Sequence, residues 1–350
     1  MISWVEIVLV NYNGWEDTIE CLESLLQQNY PAFSITIVDN ASSDNSVRNI
    51  LDWAKGNLNL PVTNLGQNYS NKPVPKPISI TVLSEAETQN VRPPFPDTED
   101  LKIITSEYNR GFAGGNNLAT EFILAQYAAV DFIWYLNNDT VVHKNALSEM
   151  VKGFEEQVRN GVKLGIMGAK LMYYHNPNLI QAVGAKYNKW YATTNHLGCN
   201  EPDQGQYDDG TVSLFTDYIV GASMLVSREF LVNVGLMDPD FFLYFEELDW
   251  VLRGKRHGYT YSFCPQGIVY HKEGKSTGGN GKQVFKSYLA DYYNIKNRIV
   301  ITKRYFPLYR IPVYLSLMGV ILNRIKRGQF SRVKMILAIL FNSFFSARRK

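Results

Sequence analysis

Val5-Glu6-Ile7-Val8-Leu9-Val10-Asn11-Tyr12-Asn13-Gly14 decides the fold class. Val5–Val10 is a short apolar run that stops at Asn and Gly, as a core strand ending in a turn does. Glu16–Gln28 then places Ile19, Leu22, Leu25 and Leu26 at helical spacing. A second strand, Phe33–Val38, ends at Asp39, and Ser42 or Ser43 stands where a cap would start a helix running to about Lys55. Strand, helix, strand, helix in that order predicts a parallel sheet covered by helices.

Outward from this opening, residues 60–100 break the pattern. Seven of the fourteen prolines lie there among many Asn and Ser residues, which predicts an inserted loop with one strand at Ile78–Leu83. The alternation resumes with a strand near Ile103–Thr105, a helix from Gly115, a strand at Phe132–Leu136 and a helix over Asn145–Gln157. Leu164–Leu171 and Ile219–Ser227 are further apolar runs. Phe245–His257 reads as a helix, followed by short strands near Tyr259–Phe263 and Ile268–His271. No internal repeat is present.

The 350 residues, 45% hydrophobic and 19% charged, have the make-up of an ordinary folded protein. The net charge of +2 hides an asymmetry: residues 284–350 carry fourteen Lys and Arg against one acid, Asp291, leaving 21 bases and 32 acids on the rest. Cys21, Cys199 and Cys264 are few, odd in number and far apart, which fits a reducing compartment. The N-terminus has no basic segment ahead of its first apolar run, so no signal peptide is expected and the catalytic part is expected in the cytoplasm.

Two apolar stretches, Ile311–Leu322 and Met335–Phe345, close the chain. Both fall short of the roughly 20 residues a membrane-spanning helix needs. Arg324, Lys326, Arg327, Arg332 and Lys334 lie between them, and Arg348-Arg349-Lys350 follow. This predicts a segment lying on an anionic membrane surface, peripheral on the inner face of the cell membrane. The plainer alternative is a helical pair packed on the catalytic domain with solvated bases. Nucleic acid is not expected as a partner, because aromatic and aliphatic residues outnumber polar ones here. The division expected is residues 1–283 as catalytic domain and 284–350 as a basic, amphipathic helical segment.

In a parallel α/β sheet, ligands bind beyond the carboxyl ends of the strands. That singles out Asn11, Tyr12 and Asn13, then Asp39 and Asn40, then Asn137, Asn138 and Asp139. Asp39, acceptor-only, suits a pyrimidine imide or ribose hydroxyl; it equally suits a turn. Arg110-Gly111-Phe112-Ala113-Gly114-Gly115-Asn116-Asn117 precedes the expected helix. Close backbone approach, a helix N-terminus and a positive charge would suit a diphosphate, although such junctions are often only tight turns. No GxGxxG and no Walker A sequence occurs, which disfavours dinucleotide enzymes and P-loop NTPases.

Asn137-Asn138-Asp139 suits a hard divalent cation that takes most of its ligands from a diphosphate, with His271 as a further ligand or as a structural histidine. Phe241-Phe242-Leu243-Tyr244-Phe245-Glu246-Glu247-Leu248-Asp249-Trp250 sets three carboxylates among aromatics, a costly arrangement unless they are paired or used. Asp249 has Arg253 four residues on as a partner. Glu247 has none nearby, so it is the better candidate for a base, its pKa raised by its surroundings.

Seven segments in this order resemble the family 2 glycosyltransferases with the GT-A fold, notably their rhamnosyltransferase-like branch. They are Ile7–Asn13, Val38–Asp44, Asn109–Asn117, Leu136–Thr140, Val220–Val226, Phe241–Trp250 and Val269–His271. The match runs from about Val5 to Thr277, apart from most of the Pro-rich insertion. It implies an α/β fold with a Rossmann-like, mixed but mostly parallel sheet and a C-terminal helical extension. It also implies that Asn11, Tyr12, Asn13 and Asp39 hold base and ribose, with Asn138 near them, while Arg110 and the turn Gly114, Gly115, Asn116 and Asn117 line the donor pocket. Asp139 and His271 would hold Mg2+ or Mn2+. Glu247 would be the base, with Glu246 and Asp249 orienting base or acceptor. Two departures stand out: the metal motif reads Asn-Asn-Asp, and Glu stands where many relatives carry Asp, which leaves the choice between Glu246 and Glu247 open.

The expected reaction is an inverting transfer from a nucleotide-sugar donor, dTDP-rhamnose or a UDP-sugar, to a hydroxyl of a cell-envelope glycan or lipid-linked glycan acceptor. The alternatives are a sugar-phosphate nucleotidyltransferase and a non-catalytic, membrane-peripheral module that binds nucleotide sugars.

Overall fold

β1 (Trp4–Asn11) lies inside the sheet with Val5, Ile7, Val8 and Leu9 fully buried, since helices cover both faces. The computed structural model describes residues 2–58, 60, 73–90, 101–272 and 287–345. Most of the Pro-rich insertion, the expected boundary at 283/284, the end of the resemblance at Thr277 and the last three bases fall outside these.

β1 pairs in parallel with β2 (Phe33–Asp39) and β5 (Val130–Asn137). β4 (Leu101–Thr105) and β3 (Ile80–Ser84) extend the parallel half beyond β2. Past β5 the direction changes: β11 (Ser223–Ser227) runs antiparallel between β5 and β7 (Leu164–Tyr173). β12 (Thr260–His271) then pairs in parallel with β7, and β6 (Thr140–Val142) pairs antiparallel with β12. β8 (Asn176–Ala182) folds back on β7. The sheet is thus mixed and mostly parallel, as expected.

One face is packed by α1 (Trp15–Leu25), α2 (Ser46–Ala54) and α5 (Ala146–Arg159), the other by α4 (Gly111–Gln126), α6 (Arg228–Val234) and α7 (Glu246–Arg256); α3 (Glu85–Thr88) is one turn after β3. A charge is buried in the sheet itself. Glu6 accepts from Ser34 and, at 2.6 Å, from Thr36, with the Lys102 ammonium 3.5 Å away.

Several boundaries differ from the sequence reading. The second helix starts at Ser46 after Asn45, not at a Ser42 or Ser43 cap, because both serines are bonded to Asn13: Ser42 Oγ accepts from its N–H at 2.9 Å, and Ser43 N–H donates to its Oδ1 at 2.7 Å. α4 begins four residues before the expected Gly115. The two short strands expected after α7 are one strand, irregular between Cys264 and Ile268. β8 and the hairpin β9 (Ala185–Asn188) and β10 (Thr193–His196) had no readable apolar alternation.

The C-terminal residues form α8 (Tyr288–Tyr305), α9 (Arg310–Lys326) and α10 (Phe330–Phe345), with a core of their own around Ile295, Leu317, Ile321 and Ile336. Asp291 is buried and accepts from Arg324 at 3.0 Å and Arg332 at 2.6 Å, so part of the basic charge is neutralised internally rather than solvated. α8 also belongs to the main core: Ile301 packs in the layer of α4 and α7. Among the described residues no helix is long and apolar enough to cross a membrane.

Candidate active site

Strand register gathers the first group of candidates. Asn11 lies opposite Asp39 in the β1–β2 ladder, and Val10 opposite Asn137 in the β1–β5 ladder, so three strands end at one edge. There the side chains form a chain. Asn11 Nδ2 donates to Asp39 Oδ1 at 2.8 Å, Thr18 Oγ1 donates to Asn11 Oδ1 at 2.9 Å, and Asn138 Nδ2 donates to Thr18 Oγ1 at 2.9 Å. The other Asp39 oxygen accepts from Ser42 N–H at 3.1 Å. Asn13 takes a left-handed φ of 53°, tolerated by Asn better than by most residues. Tyr12 is exposed. An open depression of about 590 Å³ lies beyond the end of β2, lined by Asp39, Ser42 and Ser43 and by α2.

The glycine-rich segment is not a loop before a helix but the first turns of α4. Gly111 N–H donates to Asn109 Oδ1 at 2.9 Å and Phe112 N–H to the Phe242 carbonyl at 2.8 Å, so these donors are not directed at an anion. Gly115 serves helix–sheet packing, since a Cβ there would stand 2.9 Å from Val10. Gly114 is buried, and its Cβ would meet Arg110 at 2.8 Å. Asn116 Nδ2 bonds the Phe112 carbonyl, and Asn117 clasps the backbone of Met237 through both side-chain atoms. Arg110 is engaged by the Glu85 carboxylate and lies over the Tyr108 ring, 4.2 Å from its centroid. These residues thus pack α4 against the sheet and against the loop that carries Phe242.

Asp139 and His271, 132 positions apart, are brought together by the β6–β12 ladder, which sets His271 opposite Thr140. His271 Nε2 is 3.2 Å from Asp139 Oδ1. Its Nδ1 faces Gln181 Oε1 at 2.7 Å, and an amide oxygen only accepts, so Nδ1 carries a proton and Nε2 is the atom turned toward Asp139 and Asn137. An imidazole nitrogen and a carboxylate oxygen at this separation suit a divalent cation beside them, once Nε2 is unprotonated. Among the described residues no third His, Cys, Asp or Glu joins the pair, and amide, water and phosphate oxygens suit the remaining positions of such a cation. Gln181 lies on the short strand β8; nothing in its surrounding sequence marked it.

The acidic cluster opens α7. Tyr244 and Phe245 both hold left-handed φ, 69° and 74°, a costly corner for aromatic residues. The corner directs Glu246 and Glu247 inward, and Oε2 of each is buried without a hydrogen-bond partner. Burial pushes the Glu247 carboxyl up to about 7. Burial, and then the neighbouring Glu247, push Glu246 well above the carboxylate range. At neutral pH Glu247 is therefore the member of the pair that ionises first. Asp249 has the Arg253 partner its spacing offered, and more. It is fully buried and saturated by Arg253 Nε at 2.8 Å, Arg304 Nη1 at 2.7 Å and Tyr305 Oη at 2.6 Å, which tie α8 to α7.

The turn before β11 borders both the Glu247 carboxyl and the backbone of Asn137. A Cβ added to Gly221 would come within 4.0 Å of the Glu247 carboxyl carbon, and the next residue, Ala222, accepts from Asn137 N–H at 3.0 Å. The base candidate is thus one short turn away from the motif that carries Asp139. Asn297 of α8 was missed by sequence reasoning, although it bonds the corner that holds both glutamates.

A sheet of this order, with carboxylates and amides collected beyond the carboxyl ends of its strands, is that of a ligand-binding α/β protein. The sequence model described as "Glycosyltransferase like family 2" matches residues 68–294, and that described as "Glycosyl transferase family 2" matches residues 6–72. The chain belongs to glycosyltransferase family 2. It is 21% identical over 285 residues to a poly-beta-1,6-N-acetyl-D-glucosamine synthase of Staphylococcus epidermidis, covering 81% of this chain and 53% of that protein. It is 20% identical over 212 residues to the low-salt glycan biosynthesis hexosyltransferase Agl10 of Haloferax volcanii, covering 59% of this chain and 62% of that one. It thus covers between half and two thirds of either relative. Among solved structures, the mannosyltransferase PcManGT of Pyrobaculum calidifontis, held with GDP-Man and Mn2+, superposes with a TM-score of 0.51 at 12% identity, over 99% of this chain and 88% of that one. The fold is GT-A.

Proposed function

We propose that this protein is an inverting glycosyltransferase that moves a sugar from a nucleoside-diphosphate donor, dTDP-rhamnose or a UDP-sugar, to a hydroxyl of a cell-envelope or lipid-linked glycan. One observation supports the reading: a buried carboxylate with its pKa raised to about 7 borders the turn that bonds the backbone of Asn137, two residues before Asp139, at the edge of a GT-A sheet.

Glu247 takes the proton from the acceptor hydroxyl as the oxygen attacks the anomeric carbon from the face opposite the diphosphate; one in-line displacement inverts that carbon. Burial and the neighbouring Glu247 raise the Glu246 carboxyl, which opposes a second negative charge beside the base. Asp39 accepts from the nucleoside through the lone pairs its partners Asn11 and Ser42 leave open, and Asn11 and Thr18 hold it still. Asp139 and His271 would hold Mg2+ or Mn2+, which when bound supplies positive charge against the leaving diphosphate.

Release of nucleoside diphosphate from a panel of nucleotide sugars, with and without acceptor, tests this. Glu247→Gln should lower transfer about 10²- to 10⁴-fold with donor affinity kept. Undiminished transfer by Glu247→Gln would remove the base from the proposal, and release independent of any acceptor would remove the reaction.

A further inference from the structure

The outer faces of the C-terminal helices are apolar where the molecule meets solvent. On α9, Ile311, Leu315, Met318, Leu322 and Ile325 recur at helical spacing and are all exposed, Ile311 at 73% and Leu315 at 66%. On α10, Phe330, Leu337 and Phe341 form a second exposed stripe with Lys334 among them. In the turn just before α9, Leu308 is 92% exposed, and the Trp190 ring, from the tip of the β9–β10 hairpin, packs edge-on against the next residue, Tyr309, at 5.1 Å. Trp190 itself is mostly exposed.

We propose that this face, α9 and α10 together with the Trp190 hairpin tip, is a docking surface for an anionic lipid bilayer, entered to interfacial depth only. Charge selects the occupant. Arg310, Lys326, Arg327 and Lys334 are exposed around the stripes, and Asp291, the one acid on the three helices, is buried under Arg324 and Arg332. A symmetric contact with a second copy would bring the same patch against itself, base against base, with no carboxylate of these helices to meet it. A bilayer with anionic headgroups meets the bases and accepts the apolar stripe at once, and Trp and Tyr favour the headgroup level. α9 and α10, 17 and 16 residues long, are too short to span. This inference stands independently of the catalytic reading.

Co-sedimentation of the full chain with vesicles of phosphatidylcholine, and of phosphatidylcholine mixed with phosphatidylglycerol, decides it without any assay of transfer. The wild type should pellet with the mixed vesicles, and less so at high salt. Leu315→Asn with Leu322→Asn, both outward-facing, should weaken binding at least about tenfold at unchanged circular dichroism. Lys326→Gln with Arg327→Gln should remove the preference for phosphatidylglycerol while leaving the fold untouched. Pelleting of the Asn variant equal to wild type overturns the proposal. So does a wild type that stays in the supernatant, or one that dimerises without lipid through a contact the Asn variant abolishes.

Discussion

Asn297 donates from Nδ2 to the carbonyl of Tyr244 at 2.8 Å, across 53 positions of sequence, and shares the same amide with Leu243 at 2.9 Å. The C-terminal helix α8 thereby holds the left-handed corner that directs both glutamates. Asn297→Leu removes two bonds of about 1 kcal/mol each, so the melting temperature should fall by several degrees. Transfer should fall about tenfold in kcat with KM for the donor kept, because the base loses its fixed bearing. A lower melting temperature at unchanged kcat would confine Asn297 to a packing role.

The acid limb of the pH–rate profile should report Glu247. With a folded-state value of about 7, the ionised base becomes scarcer below it, and the rate should fall about tenfold per pH unit and level off above. Glu246→Gln should leave that limb near 7, since burial is the first cause of the Glu247 shift. Stability runs the other way. A carboxyl raised in the folded state binds protons more tightly there, so its contribution is present below about 4.5 and is lost as pH rises through 7. Urea midpoints of the wild type should therefore decline over that window relative to Glu247→Gln.

Gln181→Leu tests the tautomer of His271. Without an acceptor at Nδ1 the imidazole is free to place its proton on Nε2, the atom facing Asp139. The Mn2+ concentration for half-maximal transfer should rise about 10- to 100-fold, and Asp139→Asn should raise it at least as far. If both variants respond to Mn2+ as the wild type does, the cation is held elsewhere.

Lys102→Met should be among the most damaging single changes in the sheet. Glu6 would keep Ser34 and Thr36 but lose the ammonium 3.5 Å away, leaving a charge at the centre of a parallel sheet. A loss of about 3–5 kcal/mol in unfolding free energy is expected, and the double change Glu6→Gln with Lys102→Met should recover part of it.

Gly111→Ala meets two obstacles at one position. Its φ is +68°, and the added Cβ would stand 2.2 Å from the Phe242 carbonyl. The junction of α4 with the acidic loop must shift, so a loss of roughly 1–3 kcal/mol and a lower transfer rate should appear together.

Much of the site could be seen in the chain itself because strands of a parallel sheet end where ligands bind. Asn11, Asp39 and Asn137–Asp139 each follow an apolar run, and register alone brings them to one edge. The acidic cluster was visible for another reason: three carboxylates among aromatics are costly to bury unless used or paired. Which of them is used could not be read. Asp249 had Arg253 in view, but Arg304 and Tyr305 lie 55 and 56 positions away and reach it only through α8.

The glycine-rich segment was less legible. Glycines at a helix start suit an anion and suit close packing equally well, and only the positions of Phe242, Asn109 and Val10 separate the two. The amino-acid pattern by itself determined the alternation of strands and helices, the carboxylates available for chemistry and the basic end of the chain, because periodicity and composition are local properties. Tertiary structure alone decided that Gln181 bonds Nδ1 of His271, that Asn297 holds the corner beneath Glu247 and that α9 faces solvent with its apolar side. Those relations join residues whose separation in sequence carries no trace of their contact in space.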